Sequence, residues 1–359
     1  MAKRFRSGTF LGVDIGSARI KAVEIGRGGG GLTVRAAGSV ATPSGAVQEG
    51  KITDPQAVGR ALREVLATAG IRTRHAVASV NGQVAIVREV RMPKLPPAEV
   101  KAAARFEVER YLPYPIAEVT YDTFVVGEFK DNGNTRLDVL VAAARTDVLT
   151  QHVTALRAAG LEPEILDVEP FALARAMTVG GKQAQSKILI YIHIGAENTG
   201  IVIADGQVPR VMRTVAFGGN TVTKLLAERL GVEFAQAESL KLKLGSGQQE
   251  GAPVPDPRQL EEVMISSLGD LTTEVRRSLD YYEGRNRGAG PEGALVTGGG
   301  ALLPGLTKYL ATDLGVPVEV GDPFQSVGGL PRAKGGDAAQ AGTMMAVAVG
   351  LARRGVEEP

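Results

Sequence analysis

The sequence predicts an α/β protein made of two similar lobes. Runs that read as strands alternate with amphipathic runs that read as helices along the 359 residues. A three-strand unit near the N-terminus returns about half a chain later, which points to duplication of one large unit rather than to a solenoid of short repeats. With 44% hydrophobic and 22% charged residues, the composition is that of an ordinary globular chain, long enough for two or three domains and for a large core.

In the first unit, Phe10 to Ile15 and Ile20 to Ile25 read as strands joined by Gly16-Ser17, and Leu32 to Gly38 follows a glycine-rich turn at 28–31. The second unit has strands at Ile188 to Ile194, Gly200 to Ala204 and Val208 to Arg213, with Asp205-Gly206 as a hairpin turn. Aligned, Val13-Asp14-Ile15-Gly16-Ser17 falls on Ile192-His193-Ile194-Gly195-Ala196, a separation of 179 residues. Helices fill the intervals. Asp54-Pro55 is an N-cap with proline at the first helical position, Val58, Ala61, Leu62, Val65 and Leu66 form an apolar stripe, and Gly70 ends the helix. Further helices are expected at 97–112, 146–159, 169–178, 219–230, 234–244, 258–285, 304–314 and 338–353, with a connecting loop at 245–257.

Several function classes are excluded. A net charge of +2, 4% aromatics and no Trp provide neither a basic field nor stacking platforms for nucleic acid. The absence of Cys removes disulfides, thiolate zinc sites and Cys nucleophiles, and three scattered histidines argue against a His-based metal cluster. Asp14 interrupts the apolar run after the basic N-terminus, so no signal peptide is expected, and no apolar stretch approaches the ~18 residues of a membrane span. The expected location is cytoplasmic.

The glycines carry the chemistry. A small turn between two strands exposes consecutive backbone N–H groups that can cradle phosphate oxygens. The first turn adds Asp14, Ser17 and Lys21, a carboxylate for hydrated Mg²⁺, a hydroxyl donor and a cation for phosphate charge. Two such hairpins facing each other would grip a polyphosphate from both sides. A third cluster, Thr297-Gly298-Gly299-Gly300, follows a buried strand and precedes a helix expected near Pro304, leaving bare backbone beside a helix N-terminus. Gly26-x-Gly28-x-x-Gly31 is followed by a strand-like run rather than a helix, and Gly181-Lys182 is followed by Gln183, so neither is a dinucleotide fingerprint or a P-loop.

Taken in order, Asp14-Ile15-Gly16-Ser17 with Lys21, Glu169-Pro170, Gly195, Gly218-Gly219, Glu238 with Lys241, and Thr297-Gly298-Gly299-Gly300 resemble the actin-like ATPase superfamily. Within it, Phe217-Gly218-Gly219-Asn220, Arg277-Ser278-Leu279-Asp280-Tyr281-Tyr282 and Glu107-x-Glu109-x-Tyr111-Leu112-Pro113 resemble PilM, the FtsA-related family of type IV pilus assembly proteins. The resemblance implies a two-lobed actin-like ATPase fold with an FtsA-type inserted α+β subdomain. It divides the chain into a first lobe core (8–89 and 163–185, with 338–355 as a returning helix), an insertion (90–162), a second lobe core (186–218 and 289–337) and an outer subdomain (219–288).

The resemblance further implies ATP with Mg²⁺ as cofactors. Asp14, Gly16, Ser17 and Lys21 would form the first phosphate loop, with Asp14 reaching Mg²⁺ through water, and Gly195, Asn198 and Thr199 the second. Gly218 and Gly219 would approach phosphates and ribose, Glu238 and Lys241 would bracket the ribose and adenine edge, and Gly298, Gly299 and Gly300 would bare their backbone to the nucleotide. Glu169 stands where chaperone relatives hold an acid near the attacking water. His193 departs from the pattern, since most relatives open the second loop with Asp, and imidazole is a poor ligand for Mg²⁺. Glu169 and His193 are therefore the candidate catalytic positions, with hydrolysis expected to be weak or absent.

The insertion carries no phosphate motif. Val100, Ala103, Ala104, Val108 and Tyr111 share one face of its helix, while Lys94, Lys101, Arg105 and Arg110 are expected to be solvated. By resemblance the partner is the cytoplasmic N-terminal segment of a PilN-type membrane protein. Other pilus platform proteins and self-association come next, and membrane contact is made only through partners. The alternative is an FtsA-like filament protein, against which the acidic ending Val356-Glu357-Glu358-Pro359, lacking an amphipathic helix, is expected to count.

Overall fold

The computed structural model describes residues 8–28, 31–177, 187–206, 208–245, 257–285, 290–328 and 342–357. Its first sheet uses β1 (Thr9–Ile15), β2 (Arg19–Gly28), β3 (Gly31–Ala41), β6 (His75–Val80) and β10 (Glu162–Val168), in the order β10-β6-β1-β2-β3. A two-strand ribbon of β4 (Val47–Gln48) and β5 (Lys51–Ile52) lies beside it. The second sheet uses β11 (Ile188–Ile194), β12 (Thr199–Asp205), β13 (Val208–Val215), β14 (Gly293–Thr297) and β15 (Val318–Val320), in the order β13-β12-β11-β14-β15. The two orders superpose strand for strand, each an antiparallel meander of three strands extended by two parallel ones. The repeat seen in the sequence is thus a repeat of the whole sheet. Register carries it down to single residues, because Asp14 pairs with Lys21 in the first hairpin and His193 with Gly200 in the second.

Helix α1 (Pro55–Ala69) shows how local sequence sets the elements. The Asp54 carboxylate accepts from the amides of Gln56 and Ala57, Gly70 closes the helix in the left-handed region, and Val58, Leu62, Val65 and Leu66 are buried. Each such burial is worth about 1.5–3 kcal/mol, which explains why a stripe at helical spacing outweighs the weak propensity of its β-branched members.

Between the sheets run α4 (Glu169–Met177) and α9 (Ala346–Glu357), whose buried faces join Phe10, Val23 and Val77 of the first sheet to Tyr191, Val202 and Ala204 of the second in one core. α9 presses on β1 at Gly12, where an added Cβ would lie 1.9 Å from the Ala348 carbonyl oxygen. The second lobe's outer core packs α5 (Gly219–Leu230), α6 (Phe234–Gly245), α7 (Pro257–Arg285) and α8 (Leu306–Leu314) on the other face of the second sheet.

The insertion is a three-stranded sheet, β7-β9-β8, of β7 (Ala85–Pro93), β8 (Val119–Asp131) and β9 (Asn134–Arg145), with α2 (Pro97–Tyr111) on one face. Two boundaries differ from expectation. Residue 90 falls inside β7, and α3 (Thr146–Ala158) leaves the insertion to pack on α1, with Ala155, Leu156, Ala159 and Leu161 in the α1 core. The inserted body therefore runs from 85 to 145. On α2, Val100, Ala104 and Val108 are buried, but Tyr111 is half exposed, while Lys94, Lys101 and Arg110 hold exposed ion pairs with Glu128, Asp122 and Glu107. The helix expected from 304 begins at Leu306, after a short 3₁₀ turn at Gly299–Leu302. Residues 246–256 of the loop expected at 245–257, and the start of the helix expected from 338, lie outside the described residues, while 245 and 257 belong to α6 and α7.

Candidate nucleotide site

Each sheet ends its first strand in a small turn, and the two turns have the same backbone geometry. The Gly16 amide donates to the Arg19 carbonyl at 3.1 Å, and the Gly195 amide donates to the Asn198 carbonyl at 2.8 Å. At Gly218 an added Cβ would lie 2.4 Å from the Ala196 carbonyl oxygen, so the second turn packs directly on the backbone that starts α5. Gly298, at φ 87°, and Gly300 pass so close to Ile194 that side chains there would overlap it, which brings the triple-glycine turn against the end of β11.

These turns enclose a cleft between the lobes with a volume of about 360 Å³. Asp14, Gly16, Ser17, Lys21, Glu169, His193, Gly195, Asn198, Gly219, Glu238, Lys241, Gly298, Gly299 and Gly300 all line it, although 286 residues separate the first from the last. Thr199 and Gly218 do not. Thr199 is fully buried and its hydroxyl donates to the Phe217 carbonyl at 2.8 Å, so both residues set the turn behind the wall. Ser79, Asn81, Arg19, Glu197 and Asn220 also line the cleft and were not anticipated. Asn81 carries the clearest role, donating from Nδ2 to Glu169 Oε2 at 3.0 Å. It follows β6, a parallel strand whose C-terminal end opens into the cleft, and recognising that strand would have pointed to it.

The charges are ordered. Lys21 Nζ sits 2.7 Å from Asp14 Oδ2, and both are largely buried. Across the cleft Lys241 Nζ donates to the Gly219 carbonyl at 3.0 Å, to Thr223 Oγ1 at 2.8 Å and to Glu238 Oε2 at 2.6 Å, tying α6 to the start of α5. The carboxyl of Glu169 is pushed up to about 7, first by burial and then by the nearby charge of Asp14, with Lys21 opposing. His193 is pushed down to about 4 by burial and then by Lys21, so its ring is neutral at physiological pH, and its Nδ1 lies 3.0 Å from Thr297 Oγ1. The cation beside the first turn suits phosphate oxygens, the carboxylate paired with it suits a hydrated cation, and a carboxyl titrating near 7 suits proton transfer.

A family model described as type IV pilus assembly protein PilM matches residues 12–356. The chain belongs to the PilM family. Among solved structures, a PilM-PilN type IV pilus biogenesis complex matches at 31% identity with a TM-score of 0.85, over 99% of this chain and 100% of that one. MreB5 of Spiroplasma citri bound to ADP matches at 13% identity and TM-score 0.52, over 98% of this chain and 99% of that one, a likeness of fold. Cell division protein FtsA of Enterococcus hirae is 25% identical over 361 residues, which cover 89% of this chain and 79% of FtsA. The fold is the two-lobed actin-like ATPase fold, and the expected PilM resemblance holds across the chain. No helix among the described residues is long and apolar enough to cross a membrane.

Proposed function

We propose that this PilM-family chain binds ATP with Mg²⁺ in the cleft and docks the N-terminal cytoplasmic segment of a PilN-type membrane protein, which holds it at the inner face of the cytoplasmic membrane. The observation that carries the nucleotide reading is the convergence of three glycine turns, from both lobes, on one cavity that also receives Asp14 and Lys21. The residues fit the cofactors: Lys21 would meet phosphate, Asp14 would offer a carboxylate to a hydrated Mg²⁺, and Glu238, held by Lys241 and Thr223, would offer its carboxylate to ribose hydroxyls. When bound, Mg²⁺ would neutralise phosphate charge and order its oxygens. Lys21, now paired with Asp14, would turn part of its charge to the phosphates.

Hydrolysis is proposed to be slow. Glu169, titrating near 7 and oriented by Asn81, can accept a proton from water, but the neutral His193 bonded to Thr297 supplies no charge opposite it. The working role is then structural.

For the peptide, a groove of about 360 Å³ lies between the open face of the insertion and the first lobe, its lining including Phe124, Leu140, Ala142, Ile165 and Phe171 together with charged residues such as Arg175 and Arg354. Phe124 is 63% exposed there, an apolar surface large enough to anchor a short segment that orders on binding. The support from comparison is that a structure 31% identical over the whole chain is of a PilM-PilN complex. A synthetic peptide of the partner's N-terminus should bind the full chain, and Phe124→Ser should weaken it about tenfold or more without altering the melting temperature. Unchanged peptide affinity in Phe124→Ser would move the docking site elsewhere.

A further inference from the structure

Glu197 lies in the turn between β11 and β12, on the wall of the cleft. Its Oε2 is buried and has no hydrogen-bond partner among the described residues. An unpaired buried carboxylate oxygen carries the full cost of its lost hydration, a cost that a cation beside it would offset. The carbonyls of Gly195 and Ala196 already accept from Gly219 and Asn220, which fixes the turn that carries Glu197 along the cleft wall. Facing a phosphate chain alone, it would repel the ligand that Lys21, on the same cleft, suits.

A cation between them removes the conflict. The first turn brings the carboxylate of Asp14, whereas the matching position of the second turn is His193, which is occupied with Thr297. We propose that Glu197, four residues beyond His193, supplies the second lobe's carboxylate to the divalent cation that accompanies the nucleotide. This inference rests on the ATP reading given above.

Calorimetric titration of ATP into wild type and Glu197→Gln, each without metal and with millimolar Mg²⁺, tests it. Mg²⁺ should tighten ATP binding to wild type by about tenfold or more and to Glu197→Gln by less than about threefold. Without metal the variant should bind ATP at least as well as wild type, because a repelling charge is gone. Adding His193→Asp to Glu197→Gln should restore the Mg²⁺ enhancement by returning a carboxylate to the second turn. A Glu197→Gln protein that keeps the wild-type Mg²⁺ enhancement, or one that binds metal-free ATP less well, overturns the assignment. Wild type that binds no ATP under either condition overturns the nucleotide reading itself and this inference with it.

Discussion

Lys21, Glu169 and His193 concentrate the residue-scale consequences. Lys21 is held against Asp14, so Lys21→Ala removes the cation proposed to face the phosphates and leaves the Asp14 carboxylate without that partner. Glu169 has its ionisation raised by burial and by Asp14, and a raised acid favours the folded state fully only below about pH 4.5, losing that contribution as pH rises through about 7. Glu169→Gln should therefore be more stable than wild type at pH 8, with the gap narrowing by on the order of 1–2 kcal/mol by pH 5, less than full desolvation would give because the carboxyl faces an open cleft. Chemical denaturation at the two pH values measures this, and a gap independent of pH would remove the burial argument. His193 moves the other way: lowered to about 4, it stabilises above about pH 6.5 and loses that as pH falls. His193→Asp should raise ATP turnover, and a fall in turnover would contradict the role given to this position.

At the scale of elements, the hairpins were readable because a period of two and a glycine turn are local signals, and they placed Asp14 near the end of β1, Lys21 on the return strand β2 and Gly195 in the turn after β11. What the pattern lacks is direction. Thr199 alternates like its neighbours, yet its side chain turns behind the cleft wall. The stripe on α3 is as clear as that on α2, yet nothing in it says that one packs on α1 and the other on the inserted sheet. Asn81 escaped because His75–Val80 was not read as a strand. The close contact of β1 and α9 supplies a sharp test, since Gly12→Ala would press a methyl group on the Ala348 carbonyl and should cost about 3 kcal/mol or more in a denaturation midpoint series. The insertion gives another: replacing 85–145 by a short linker, with α3 kept, should abolish peptide binding while leaving ATP affinity within about threefold. Retained peptide binding would exclude the insertion as a docking surface.

For the whole molecule, the duplicated sheet explains why the site lies where it does. Two copies of one strand order, related across α4 and α9, point equivalent turns into a common cleft, so neither lobe holds the site alone. The shared core beneath couples the lobes, and a ligand spanning them should stabilise both. Saturating MgATP at about 100 times its Kd should add ~2.7 kcal/mol in a single unfolding transition, and separate transitions with only one shifted would show that the lobes do not share the ligand. The proposed docking groove shares no residue with the cleft and is lined by the insertion, β10 and α4. The account's central claim is that the cleft grips a nucleotide by its phosphates, and calorimetric titration of MgATP and of AMP into wild type and Lys21→Ala tests it most directly. Wild type should bind one MgATP, and Lys21→Ala should lose about 10- to 150-fold for MgATP but far less for AMP, as expected when a charge-assisted contact of ~1.5–3 kcal/mol to the distal phosphates is removed. Equal losses for both nucleotides, or no binding of MgATP by wild type, would contradict it.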